Sequence, residues 1–169
     1  PPPPPPPPPI FNSQDGIRDC DVCLVGSEMC IRDSSYVAQV LDIEMDNDKP
    51  IVQKVTSAID CGIVINPDAA TNLAEGGVVD GIGHAMYSAI TFKDGTPEQN
   101  NYDKYRLIRN SEAPKSIETH FVDNGIDPTG LGEPPYPPIM GALANALYKA
   151  TGRRYYQQPF ILDRPPLVG

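Results

Sequence analysis

Two stretches in the first half of the chain carry the alternating pattern of β-strands. In residues 41–46 every second residue is apolar and the residues between are acidic, and residues 51–56 are rich in β-branched side chains. The polar, proline-containing residues 47–50 between them favour a turn. We therefore predict an antiparallel hairpin in which neither strand is buried on both faces.

A helix is predicted to follow at residues 67–88. The side chain of Asn66 can accept a hydrogen bond from a free amide at the helix start, and Pro67 is tolerated in the first turn. Asp68 is favourable near the positive end of the helix dipole. These three residues together are typical of a helix N-terminus.

The second half of the chain is predicted to hold two short strands and another helix. Residues 90–92 precede a tight turn at Asp94 and Gly95, and the alternating pattern returns at residues 117–121. Apolar residues recur every four positions over 138–150, beside a stripe of alanines, which predicts the helix.

The remaining segments lack a clear period. Gly152 is placed to end the second helix, and the tail beyond it is predicted to wrap the surface. Residues 96–114 are polar and irregular, with Tyr102, Tyr105 and Leu107 as the expected anchors. The elements together predict an α+β fold, a mixed sheet with helices. Because these strands cannot close a sheet by themselves, we expect a piece of a larger domain.

The first predicted helix carries small residues at four-residue spacing, namely Gly77, Gly81, Ala85 and Ala89. A glycine inside a helix costs about 1 kcal/mol against alanine, so its presence indicates that another group must come close. That group is either a neighbouring helix or strand, or a cofactor.

Composition narrows the class of partner. The 169 residues include 13 Lys and Arg against 22 Asp and Glu, a formal net charge of −9. Nucleic acid and anionic membrane surfaces would repel such a chain. No apolar run approaches the ~18 residues of a membrane helix. We expect small neutral molecules as ligands, with no nucleic-acid partner and no membrane insertion.

Residues 1–33 are set apart from the orderly pattern of residues 34–169. Pro1–Pro9 is a pure proline run, and residues 21–33 resemble a peptide that recurs when sequencing-adapter DNA is translated. We interpret residues 1–33 as a low-complexity, disordered segment of artefactual origin. Translation of these residues in frame from the native locus would contradict this interpretation.

Two alternative functions depend on this N-terminal segment. One is a polyproline-bearing interaction protein without catalytic activity, whose proline run docks into an aromatic groove. The other is a small zinc module built on Cys20, Cys23 and Cys30, although its fourth ligand would have to come from far along the chain.

The clearest chemical pattern lies just before the second predicted helix. Residues 130–135 read Gly-Leu-Gly-Glu-Pro-Pro, so the Glu133 carboxylate sits between glycines that admit a ligand and prolines that stiffen the backbone. A side chain aimed in this way suits a general base. The structural alternative is that Glu133 accepts hydrogen bonds from amides at the helix start.

Together with residues 61–68 and with Glu75-Gly76-Gly77, this stretch resembles the C-terminal end of the large subunit of a molybdenum hydroxylase. The resemblance is to the isoquinoline 1-oxidoreductase and aldehyde dehydrogenase branch of the xanthine dehydrogenase family. It implies that residues 34–169 are the C-terminal part of a molybdenum-cofactor-binding domain, incomplete on its own.

The resemblance implies an oxidoreductase that acts on an aldehyde or N-heterocycle, takes oxygen from water and uses a molybdenum-pterin cofactor. Glu133 matches the family glutamate that takes the proton from a hydroxyl on molybdenum, a role that needs a cramped, partly apolar site. Gly76, Gly77 and Gly132 match segments that lie against the cofactor, where backbone amides would meet its oxygens.

One position departs from the family pattern. Many relatives place a glutamine two residues before the glutamate at Glu75, whereas this chain has Leu73. Either this branch does without that hydrogen bond or the local register differs. Glu75 is predicted to be structural and not catalytic.

The resemblance also implies molybdopterin cytosine dinucleotide as the form of the cofactor and 2Fe-2S clusters on a small partner subunit. The rest of the large subunit would be a further partner, and this chain alone is expected to be inactive. Relatives of this type occur in bacterial cytoplasm and periplasm, and the sequence does not choose between these compartments.

Three other reactive residues are predicted to be structural. His84 and His120 have no second ligand at metal spacing, and Cys61 has the character of a small buried apolar residue. No protein ligand to a metal is predicted.

Overall fold

A computed structural model of the chain describes residues 23–30, 35–47 and 49–161. The elements in chain order are β1 (Cys23–Cys30), β2 (Ser35–Asp46), β3 (Lys49–Asp60), α1 (Pro67–Met86), β4 (Phe92–Lys93), β5 (Thr96–Pro97), β6 (Ser116–Phe121) and α2 (Pro137–Thr151). The predicted α+β class is confirmed, since one main sheet packs against two helices.

The main sheet has four strands in the order β1-β2-β3-β6. Its first three strands are antiparallel neighbours, whereas β6 pairs with β3 in the parallel direction. The hairpin of β2 and β3 confirms the predicted one, although both strands are longer than predicted. Their register shifts between Asp42 and Ile43, where the regular pairing of the two strands is interrupted.

Strand β1 lies within residues 1–33, and the domain boundary at residue 33 stays a prediction. Pro1–Pro9 and Cys20 lie outside the described residues. The polyproline alternative therefore lies outside the described residues, and the zinc alternative does so in part, at Cys20.

One face of the β2–β3 hairpin forms the floor of the core. Leu41 and Ile43 of β2, which alternate, and Val52 and Val55 of β3 are buried there, and both helices cover them with apolar side chains. The polar residues between them on β2 lie on the opposite face of the strand. The alternation read from the sequence therefore separates a solvent-facing side from a buried side.

Helix α1 begins as predicted. The Asn66 side chain accepts a hydrogen bond from the Ala69 amide at 3.1 Å, and Pro67 occupies the first position. The helix ends at Met86, two residues before the predicted end. The reason is tertiary, because the amides of Phe160 and Ile161 donate to carbonyls of the last helical turn.

Helix α2 and the tight turn at Asp94 and Gly95 also match prediction. Gly152 follows α2 in the left-handed conformation, with φ of 70°, and its amide donates to the Tyr148 carbonyl at 2.7 Å. The tail after Gly152 packs Phe160 onto the core instead of lying only on the surface.

The predicted anchors of residues 96–114 were wrong in two of three cases. Tyr102 is 86% exposed and Leu107 is 42% exposed, whereas Tyr105 is half-buried. The segment is held instead by Ile108, which packs against the core. Its side chain lies against Gly83 and fills the space that a side chain at that position would need. An irregular segment has no period from which the inward-facing residue can be read.

Within the described ranges, no helix is long and apolar enough to cross a membrane.

Candidate functional site

An open groove of about 550 Å³ lies between α1 and the Glu133 loop, which we define as residues 129–136. Its volume lies in the range of small-molecule sites. The groove is lined by Asn72, Leu73, Gly76, Gly77, Asp80, Gly132, Glu133, Tyr136 and Pro137. The structure therefore brings together all four residues that the sequence singled out for catalysis and cofactor binding.

Glu133 is exposed in this groove. Among the described residues, no hydrogen bond or ion pair engages its carboxylate. The structural alternative, in which this carboxylate caps α2, has no support, because the helix start at Tyr136 has no side-chain cap. The carboxylate is left available to a ligand, but this chain alone does not provide the cramped, desolvated surroundings that a general base needs.

The backbone around Glu133 is shaped by a turn. The Tyr136 amide donates to the Glu133 carbonyl at 2.9 Å, and Pro134 and Pro135 between them are buried. Proline restricts the backbone of this turn, so the carboxylate is carried on a stiff support. The prediction of a rigid loop at a helix entrance agrees with this geometry.

Two buried polar residues of β2 reach the Glu133 loop. The Gln39 side-chain amide donates to the Pro135 carbonyl at 2.8 Å, and the Ser35 hydroxyl hydrogen-bonds the Thr129 hydroxyl at 2.8 Å and the Gly130 carbonyl. Sequence analysis missed both residues, because the predicted strand began only at residue 41. A polar residue at a buried position of an alternating strand was the signal that could have found Gln39.

The start of the loop is tied to the end of β3. The Thr129 amide donates to the carbonyl of Cys61 at 2.9 Å, and Cys61 itself is 4% exposed. Burial, with a further contribution from the charge of Asp60, raises the pKa of the Cys61 thiol. The predicted role of Cys61 as a small buried residue is confirmed.

The glycines of α1 have different surroundings. A Cβ on Gly76 would meet nothing within 4 Å, whereas a Cβ on Gly81 would stand 2.4 Å from the Ile139 side chain and 2.8 Å from the Tyr136 carbonyl. Gly77 lies between these cases, with Pro135 at 3.6 Å. Packing against α2 therefore explains Gly81, and no contact within the described residues explains Gly76.

The expected use of free amides at Gly76 and Gly77 needs correction. Both residues lie in the interior of α1, where backbone amides donate to carbonyls one turn earlier. What these glycines offer a ligand is a helix surface without side chains. Gly132 offers similar room across the groove, because its Cβ would also meet nothing within 4 Å.

The other side chains of the groove are mixed in character. Leu73 is 47% exposed and forms an apolar part of the wall. Burial, followed by the charges of Asp80 and Tyr105, raises the pKa of the Tyr136 hydroxyl above its usual value of 10.0. Asp80 and Glu133 are the charged residues of the lining, and both are acidic.

The two histidines lie apart from each other. His84 meets the Tyr136 ring edge to face at 5.6 Å and hydrogen-bonds the Asp80 carbonyl at 3.1 Å. His120 is exposed on β6, 3.9 Å from Glu118. Across the part of the chain that the structure describes, no three His, Cys, Asp or Glu side chains gather as metal ligands.

Fold and groove together define an α+β domain with a ligand-sized cleft between a helix and a loop. Residues 28–114 match the family model of the molybdopterin cofactor-binding domain, and the chain belongs to this family.

Comparison with known proteins identifies several similar chains. A membrane-bound aldehyde dehydrogenase (pyrroloquinoline-quinone) of Gluconacetobacter polyoxogenes is 29% identical over 71% of this chain and 16% of its own length. The β subunit of isoquinoline 1-oxidoreductase of Brevundimonas diminuta is 26% identical over 80% of this chain and 17% of its own length. The chain thus spans about one sixth of these relatives.

A similar fold is present in the aldehyde oxidoreductase of Desulfovibrio gigas. The two structures superpose with a TM-score of 0.64 at 23% identity, over 74% of this chain and 14% of the other. At this identity the likeness shows the fold alone.

Proposed function

We propose that this chain is the cofactor-facing C-terminal part of a molybdenum hydroxylase subunit that oxidises an aldehyde or an N-heterocycle. The observation that carries the proposal is the groove, where the Glu133 carboxylate, which has no partner among the described residues, shares one cleft with the open helix surface at Gly76. Membership of the molybdopterin cofactor-binding domain family and the names of the relatives support it.

The groove fits a cofactor sterically. At Gly76 and Gly132, side chains are absent although the chain itself leaves space for them. Glycine in a helix costs about 1 kcal/mol against alanine, so Gly76 weakens α1 with no return from packing in the described residues. A flat ligand lying against α1 would use this space, and the Leu73 side chain would form an apolar edge beside it.

In this proposal the cofactor, when bound, supplies the centre that accepts electrons from the substrate. Glu133 acts as the general base and accepts the proton of the attacking hydroxyl. The buried turn at Pro134 and Pro135 holds its carboxylate at one side of the groove. Closure of the groove by the remainder of the subunit would exclude water and make the carboxylate a stronger base.

The remaining parts of the enzyme would come from outside this chain. We propose that the rest of the large subunit completes the substrate pocket, and that a small subunit with 2Fe-2S clusters receives the electrons. We also propose molybdopterin cytosine dinucleotide as the cofactor. Acid hydrolysis of the purified complete enzyme should release cytidine monophosphate, and its absence would contradict the dinucleotide form.

The decisive experiment replaces Glu133 by glutamine in the complete native subunit. The amide keeps the shape of the side chain but cannot accept the proton, so turnover should fall by about 10²- to 10⁴-fold while bound molybdenum is retained. Glu118→Gln is the control, because it makes the same chemical change outside the groove, at an exposed carboxylate on β6 that pairs with Lys54 at 2.8 Å. Its turnover should equal that of the wild type.

Wild-type turnover in Glu133→Gln would remove the proposed base. Metal analysis of the wild-type enzyme tests the cofactor independently, which matters because one relative carries pyrroloquinoline quinone in its name. A purified active enzyme with quinone and no molybdenum would overturn the proposal as a whole.

A further inference from the structure

Gln39 occupies an unusual place in the sheet. Its side chain is fully buried between Val37 and Leu41, on the buried face of β2, where only Ser35 is also polar among the described buried residues. Its Nε2 atom donates to the Pro135 carbonyl, but its Oε1 atom has no hydrogen-bond partner among the described residues. Burying an acceptor without a partner opposes folding, so the amide at this position needs a reason other than core packing.

The contact made by Gln39 reaches the part of the loop nearest to the groove. Pro135 lies two residues after Glu133 and inside the turn that the Tyr136 amide closes onto the Glu133 carbonyl. A displacement of the Pro135 carbonyl would therefore move the backbone that carries the Glu133 carboxylate. Gln39 and Pro135 are ninety-six positions apart in the chain, so the hydrogen bond between them joins the sheet directly to the loop.

Ser35 makes the corresponding contact at the other end of the loop. It is also fully buried, and it lies on the same face of β2 as Gln39, four residues away. Its hydroxyl binds the Thr129 hydroxyl and the Gly130 carbonyl. One strand thus holds the Glu133 loop before and after the carboxylate.

We propose that Gln39, assisted by Ser35, is a positioning residue that sets where the Glu133 carboxylate stands in the groove. The inference rests on the proposed function, in which Glu133 is the base. Gln39 itself touches neither the substrate nor the cofactor. Its effect passes through the backbone of Pro135, and loss of its hydrogen bond misplaces the carboxylate without removing it.

The test uses Gln39→Met in the complete subunit, because methionine has a similar length and no donor for the Pro135 carbonyl. We expect faster hydrogen exchange of the amides in residues 131–137, including that of Tyr136, with bound molybdenum unchanged. We also expect kcat to fall by about 10- to 100-fold with little change in KM, because the reacting geometry is disturbed more than substrate binding.

Gln39→Glu is the conservative variant. A neutral carboxyl can donate to the Pro135 carbonyl, whereas the ionised form cannot, and burial favours the neutral form. Its kcat should therefore approach the wild-type value at low pH and fall towards that of Gln39→Met as the pH rises. A change in general stability alone would not produce this additional titration.

Val52→Ala is the control for lost stability, since Val52 is buried in the main core and its apolar side chain makes no hydrogen bond to the loop. It should leave exchange in residues 131–137 unchanged relative to the rest of the sheet. Wild-type exchange of the loop in Gln39→Met would overturn the proposed positioning. If Gln39→Met does not fold, the same exchange measurement on Gln39→Glu across pH decides the matter.

The positioning role of Gln39 can be disproved independently of the proposed function of Glu133. Loop exchange does not require turnover, so it tests the hold on the loop even if Glu133→Gln proves fully active. Faster loop exchange combined with unchanged kcat, in an enzyme that needs Glu133, would overturn the positioning role and leave the proposed base intact.

Discussion

The two faces of α1 differ in what they contact. On the core face, Val78, Ile82 and Ala85 are fully buried against the sheet and α2. On the groove face, Leu73 is half exposed and Gly76 and Asp80 are exposed. The core face is explained by the packing of this chain, whereas the groove face is not.

Glycine is therefore present in α1 for two different reasons. Gly81 is required because Ile139 and the Tyr136 carbonyl lie where its Cβ would be, whereas Gly76 faces space that the described residues leave empty. A stripe of small residues in a sequence therefore does not identify one ligand. The substitutions of Ile82, Leu73, Gly81 and Gly76 described below test whether the two faces of α1 differ in packing.

The largest effect is expected from Ile82→Ala on the core face. Removing a fully buried isoleucine leaves a cavity, so the free energy of unfolding should fall by about 2–5 kcal/mol. Urea unfolding followed by circular dichroism measures the change. Leu73→Ala on the groove face is the control and should alter stability by less than about 0.5 kcal/mol. Equal losses would show that the groove face is packed in solution.

A smaller loss is expected from Gly81→Ala. The added methyl group would overlap the Ile139 side chain and the Tyr136 carbonyl, and overpacking of this kind costs about 1–3 kcal/mol. The same unfolding experiment applies. A variant as stable as the wild type would mean that α1 and α2 do not approach this closely.

Gly76→Ala should change stability in the opposite direction. Its methyl group meets nothing, so the higher helix propensity of alanine should stabilise the chain by about 1 kcal/mol. In the complete subunit the proposed function predicts less bound molybdenum, which elemental analysis measures. Full metal content in that enzyme would show that no ligand lies against Gly76.

The smallest effect concerns the ionisation of Tyr136. Because burial and the charge of Asp80 raise the pKa of Tyr136, Asp80→Asn should lower that pKa while keeping it above the usual value. A ¹³C NMR titration of labelled tyrosine would show the shift. Because folding raises this pKa, the protonated Tyr136 hydroxyl contributes to the stability of the fold. The contribution is fully present below pH about 10 and is lost as the pH rises further. An unshifted titration in Asp80→Asn would place Asp80 away from Tyr136.

Much of the fold was predictable because its signals are local. The cap at Asn66, the hairpin of β2 and β3, the turn at Asp94 and the stop at Gly152 each depend on a few adjacent residues. The Gly-Leu-Gly-Glu-Pro-Pro stretch was recognisable for the same reason. The irregular segment of residues 96–114 had no such signal, and Ile108, its partly buried residue that packs against the core, was missed.

The sequence by itself determined where the two helices start and that Glu133 is carried on a stiff, glycine-flanked loop, because backbone preferences act over short distances. Tertiary structure alone decided that β6 runs parallel to β3, that the tail ends α1 at Met86, and that Gln39 holds the Glu133 loop. These features join residues far apart in the chain. Their free energy comes from packing and hydrogen bonds that exist only after the sheet and helices have come together.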